Sequence, residues 1–165
     1  MLIFTPDSGE QTRRAVQSLI TNGVERCIID LRNNPGGHLD AMAVAGSAFT
    51  DRTLGWKVRR DGTKEAIHST AKAFKAMQLV VLVNEGTASA AEILAAGLRD
   101  TNGARLVGER TYGRGQIQTC VALGGDSGIV IPAASDRKCA GHPFQQGGRD
   151  LHPISWSRHL ERRGL

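Results

Sequence analysis

At 165 residues and 40% apolar content, the chain is long enough for one domain around one hydrophobic core. Aromatics are only 4%, so that core has to be aliphatic and alanine-rich, and no run approaches the ~20 apolar residues of a membrane span. The net charge of +5 gathers late, with six basic and three acidic side chains from Asp136 to Leu165. No basic helical stripe interleaved with aromatics accompanies it, which argues against a nucleic-acid partner.

Met1-Leu2-Ile3-Phe4 lacks the basic start and long apolar run of a secretory signal and reads as a strand entering a fold. Ser8 and Gln11 are spaced as a capping box, Val16, Leu19 and Ile20 recur at helical spacing, and Asn22-Gly23 stops that helix. Arg26 to Leu31 is a short apolar run of the kind found in strands covered on both faces. Within it Cys27 reads as a small buried hydrophobe. With Cys120 and Cys139 it makes an odd number without a CxxC pair, so neither a disulfide framework nor a zinc site is expected.

Asn33-Asn34-Pro35-Gly36-Gly37 is a turn, Leu39 to Phe49 fits a second helix, and the polar stretch from Asp51 to Thr70 fits a short hairpin or a loop. Gln78 to Val83 reads as a buried strand, and Ala88 to Arg99 as a helix with Ile93, Leu94 and Leu98 inward. Arg105 to Val107 fits a third strand. Gln116 to Leu123 and Gly128 to Ile131 fit a hairpin around Gly124-Gly125-Asp126-Ser127. Strands alternating with helices imply an α/β fold with a largely parallel inner sheet. After Pro132 the apolar pattern fades, apart from a short amphipathic stretch from Trp156 to Leu160. The chain therefore divides into a core, 1–132, and a basic polar tail, 133–165.

Two strand ends carry chemistry. Ser89 stands just past a buried strand at the first turn of a helix, where backbone N–H groups lack intrahelical partners and the helix dipole is positive. A serine there either caps the helix or attacks a carbonyl while a neighbouring amide, such as Ala90 N–H, receives the oxyanion. Gly36 and Gly37 end the other strand. They read either as a tight turn or as backbone donors with no side chain in the way.

Asp30-Leu31-Arg32-Asn33-Asn34-Pro35-Gly36-Gly37, Gly86-Thr87-Ala88-Ser89-Ala90-Ala91-Glu92-Ile93 and the element from Gly108 to Gln118, in that order, resemble the carboxy-terminal processing (tail-specific) serine peptidases. The resemblance runs from about Phe4 to Ile131. It implies the fold shared with ClpP and crotonase, stacked ββα units around a mostly parallel twisted sheet. It also implies an endopeptidase that cleaves polypeptides near accessible carboxy termini through an acyl-enzyme, with no cofactor or metal.

By the same resemblance Ser89 matches the nucleophile, and Ala90 with Gly36 or Gly37 the oxyanion hole. Arg114 matches the general-base lysine, and Glu92 and Gln118 match polar positions that hold lysine and serine in place. The compartment implied is periplasmic, extracellular or the thylakoid lumen, while the absence of a leader at Met1 leaves a cytoplasmic reading open. A crotonase-type acyl-CoA enzyme shares the fold, but no CoA-side motif accompanies the glycines.

Three departures stand out. Arg114 carries a guanidinium, which stays protonated and cannot take a proton from serine as a lysine of lowered pKa does. Arginine outnumbers lysine sixteen to five along the chain, so this exchange follows its general bias. No PDZ module fits ahead of Met1. The tail follows the family only in Gly148-Arg149-Asp150-Leu151. None of the five histidines lies in a matching motif; His38, next to the glycines, is the nearest to the site and reads most simply as a surface or cap residue.

Overall fold

A computed structural model of the protein describes residues 2–74, 77–124 and 127–138. In chain order the elements are α1 (Ser8–Thr21), β1 (Arg26–Asp30), α2 (Leu39–Gly46), β2 (Thr53–Val58), β3 (Lys64–His68), β4 (Gln78–Val83), α3 (Ala90–Asn102), β5 (Arg105–Gly108), β6 (Gln116–Gly124) and β7 (Ser127–Lys138). The strands form two sheets. One is three-stranded, in the order β1-β4-β5, with both pairs parallel, as the strand–helix alternation implies. The other is four-stranded and antiparallel, in the order β3-β2-β7-β6.

Ile29, Leu79, Val81 and Val83 project from one face of the parallel sheet into a core completed by Met42 and Ala45 of α2, Leu54 of β2, and Ile93, Leu94 and Leu98 of α3. Small residues let these layers approach closely. A Cβ on Gly97, in the middle of α3, would lie 2.6 Å from the Leu54 carbonyl oxygen, so the helix rests directly on the backbone of β2. In that way α3 joins the two sheets. Its carboxyl end closes in an αL cap: Gly103 takes φ 75°, its N–H reaches Arg99 O (3.2 Å), and Ala104 N–H reaches Leu98 O (3.3 Å).

Several local expectations change. The face of the parallel sheet opposite the core is only partly covered: Val80, Leu82 and Val107 are half-buried and Ile28 is 67% exposed. β1 is an edge strand, and an apolar run looks the same in sequence whether one face or two are covered. Cys27 is accordingly half-buried rather than buried, and that partial burial pushes its thiol pKa up. The capping box at Ser8 is not formed. Asp7 holds the cap position, and the Ser8 hydroxyl donates back to Thr5 O at 2.8 Å.

α2 ends at Gly46 because the next amides tighten into i→i−3 bonds, Ala48 N–H to Ala45 O and Phe49 N–H to Gly46 O. Residues 51–70 contain the β2–β3 hairpin. At the chain start, Phe4 makes a single parallel bridge to Gly37 instead of a strand. β7 runs past Ile131, and past the boundary drawn at 132, to Lys138. Its last residues pair with β2 through Ser135↔Val58 to Lys138↔Gly55. The stretch Trp156–Leu160, the Gly148–Leu151 motif and Cys139 lie outside the described residues. Among the described residues no helix is long and apolar enough to cross a membrane.

Candidate active site

Parallel pairing of β1 with β4 brings the carboxyl ends of the two strands side by side, and each continues through a turn into a helix. The turns are bolted together. Asn84 Oδ1 accepts the Asn33 N–H (2.8 Å), and its Nδ2 donates to Asn33 Oδ1 (2.9 Å). Thr87 Oγ1 donates to Leu31 O (2.8 Å), and Ala88 N–H donates to Asn34 O (2.9 Å). Asn34 and Thr87 are fully buried, so the last two bonds are shielded from water, while the Asn33–Asn84 pair lies at the surface.

Ser89 emerges from this knot at the N-cap of α3 with φ 54° and ψ −124°. Left-handed φ values are uncommon for residues with a side chain and store strain that the surrounding structure must hold. Gly36 is what allows the close approach. A Cβ there would fall 2.9 Å from Ala88 O, Ala90 N and Ser89 Cβ alike, and its φ of 100° suits only glycine. The Gly36 N–H is already spent on Asn34 Oδ1 at 2.8 Å. Gly37 N–H and Ala90 N–H have no acceptor among the described residues, so Gly37 is the member of the glycine pair with a donor to offer.

Glu92 organises the rest. Its carboxylate, 2% exposed, accepts four hydrogen bonds: Thr111 Oγ1 (2.6 Å) and Gly113 N–H (2.8 Å) on Oε1, and Ser89 N–H and Arg114 N–H (both 2.9 Å) on Oε2. One side chain in the first turn of α3 therefore fixes the backbone of Ser89 and of the Arg114 segment together. Tyr112 N–H adds a bond to Thr87 O at 2.9 Å. Asn34, Asn84, Thr87 and Thr111 are structural members of the site that motif reading passed over. All four lie inside or beside the matched segments, which is the one signal that pointed to them.

Ser89, Arg114 and Gln118 line one cleft of about 890 Å³, with His38 and Asp40 from the start of α2 and charged residues of the β2–β3 hairpin. The Arg114 side chain is exposed and its guanidinium carbon lies 5.3 Å from the centroid of the Tyr112 ring. Gln118 is exposed, and no side-chain hydrogen bond joins it to Ser89 or Arg114 among the described residues. On the hairpin, Glu65 pairs with Lys57 (3.3 Å) and Arg59 (3.4 Å), and the bond from Lys57 is the main cause holding its carboxyl below the usual range. Among the described residues no cluster of three or more His, Cys, Asp or Glu is placed to hold a metal ion.

The sequence profile of Peptidase family S41 matches residues 3–150. A carboxyl-terminal-processing protease of Synechocystis sp. is 41% identical over 132 residues, covering 79% of this chain and 31% of that protein. Carboxyl-terminal-processing peptidase 3, chloroplastic, of Arabidopsis thaliana is 36% identical over 148 residues, covering 88% and 28%. The solved photosystem II D1 C-terminal processing protease superposes with a TM-score of 0.81 at 33% identity, over 90% of this chain and 39% of that one. The chain thus spans about a third of the length of these relatives. The superposition bears out the α/β, ClpP-like core, and with the profile running through nearly the whole sequence, the chain belongs to Peptidase family S41.

Proposed function

We propose that the chain is the catalytic core of a serine-type endopeptidase of the carboxy-terminal processing class, cleaving polypeptides near their carboxy termini. The observation that carries this is Ser89 held at φ 54° beside two N–H groups, those of Gly37 and Ala90, that have no acceptor among the described residues, at the edge of the cleft. Ser89 Oγ attacks the scissile carbonyl carbon, and the carbonyl oxygen takes the electron pair and is held by the two amides. Collapse breaks the C–N bond, the amine leaves with a proton, and water then releases the acyl group from Ser89. Glu92 holds the nucleophile's backbone through this cycle. Gln118 contributes from the cleft wall.

Arg114 stands where the family has its lysine and does not accept the Ser89 proton. Loss of a general base typically slows such a reaction ~10²–10⁴-fold. Its exposed guanidinium suits a substrate carboxylate instead. That residue favours a second reading, a peptide-binding relative that docks extended chains without turnover.

Incubating the protein with an unstructured peptide and a serine-reactive phosphonate separates the two. Labelling at Ser89 together with peptide cleavage supports the peptidase. Binding that is unchanged in Ser89→Ala, with neither label nor product until Arg114→Lys, supports the relic. Absence of both activities in native and Arg114→Lys protein overturns the peptidase reading.

A further inference from the structure

We propose that His38 is the base that takes the proton from Ser89 in this chain, in place of the lysine that Arg114 replaces; this rests on the peptidase reading above. The cleft narrows the choice of base. Arg59, Arg60 and Arg114 are permanent cations, and Lys57 is an ammonium paired with Glu65. Glu65 is shared between Lys57 and Arg59, and Asp61 accepts the Thr63 N–H of its own turn at 2.9 Å. Asp40 is an exposed carboxylate, and carboxylates are weak bases near neutral pH. Glu92 is already accepting four bonds. Among the described residues His38 is the imidazole lining the cleft, and imidazole is the side chain most often used as a general base.

Its placement fits the role. His38 follows Gly37 directly, so the base and one oxyanion donor come from adjacent residues, and Gly36 just before them touches Ser89. The backbone of His38 is fixed: its N–H donates to Phe4 O (2.8 Å), and its carbonyl accepts from Met42 N–H (3.0 Å). The side chain makes no cap bond and is exposed, leaving the ring free to turn within the cleft. No hydrogen bond joins it to Ser89 in the free protein. Such bonds commonly tighten only when substrate docks, or run through one water.

The proton balance closes without a co-reactant. As the Oγ–C bond forms, the Oγ proton passes to the imidazole, and the imidazolium then delivers it to the leaving amine nitrogen. In the second half a water proton follows the same path and is returned to Ser89 Oγ.

The test measures Ser89 labelling and peptide cleavage against pH in native protein, His38→Gln, Arg114→Lys and the double variant. Native protein should be active, with a rate that falls along an acid limb as the base is protonated. His38→Gln should lose ~10²–10⁴ in rate and lose that limb. The loss should shrink once Arg114→Lys supplies an amine base, and added imidazole should restore part of the rate to His38→Ala. Native-like rates in His38→Gln, or an equal loss in both backgrounds, overturn the proposal. So does a native protein that stays silent while Arg114→Lys is active, an outcome that leaves the peptidase reading standing. Silence in both native and Arg114→Lys protein removes that reading and this one with it.

Discussion

Replacing Glu92 with glutamine isolates the clamp that ties the Ser89 backbone to the Arg114 segment. All four partners of the carboxylate donate to it: three backbone N–H groups and the Thr111 hydroxyl. An amide of the same shape keeps one oxygen and turns the other into a donor. Its best placement puts the NH₂ on the Thr111 side, where the hydroxyl reverses to accept, but there it faces the Gly113 N–H and leaves that donor unpaired. A buried donor without a partner costs about 1–3 kcal/mol. The bonds kept by the oxygen also lose their charge-assisted strength. Glu92→Gln should therefore destabilise the fold by about 2–4 kcal/mol, or roughly 4–16 °C in Tm for a domain of this size. Denaturant unfolding measures the first, and the rate of phosphonate labelling at Ser89 measures the effect on the site. An unchanged midpoint with an unchanged labelling rate would refute the clamp.

Gly36→Ala forces a Cβ to within 2.9 Å of Ala88 O and Ala90 N at φ 100°, so Ser89 labelling should fall by at least ~10²-fold; native labelling would mean the two turns are not in contact. Arg114→Lys keeps the charge and changes only an exposed side chain over Tyr112, worth about 0.5–1 kcal/mol. Its unfolding midpoint should stay close to that of the native protein, and a large shift would mean the guanidinium carries structure. The Arg32 side chain, followed by its backbone N–H, holds the Asp30 carboxyl down at about 2, below the ordinary aspartate range. The stabilisation from that pair is complete above the unfolded-state pKa of about 4 and is lost as pH falls from there toward 2. Both side chains are largely exposed, so the contribution is small and screened by salt. The stability difference between native protein and Asp30→Asn should fade over that window, and a difference that persists at pH 2 would count against the pair.

What was legible in the sequence follows from what each signal measures. Apolar runs located β1 and β4, and the helical spacing of Ile93, Leu94 and Leu98 located α3, because these elements bury a face. The same hydropathy did not distinguish one covered face from two at Ile28. It was also silent about the end of β7, where Ser135 to Lys138 pairs with β2 in a stretch without an apolar pattern. The ordered motifs assembled the site segments, but not the bonds inside them. Thr111 and Gly113 meet Glu92 from 19 and 21 residues away, a contact that no local period encodes. The choice between Gly36 and Gly37 was equally hidden, since it turns on where one asparagine side chain points.

The clamp also explains how an arginine can stand at position 114 without unmaking the site. Glu92 grips the segment through the backbone N–H of Gly113 and Arg114 and the hydroxyl of Thr111, and takes nothing from the side chain at 114. The guanidinium lies over an exposed tyrosine at the cleft. The frame that holds Ser89 in its strained conformation is therefore indifferent to whether the residue at 114 is a base. Stability cannot select the lysine, and only turnover can. Because the side chain at 114 and the frame are separable, a proton acceptor elsewhere on the cleft wall would not require rebuilding the turn that presents Ser89. Among the described residues of that wall, the proposed occupant of the place is His38.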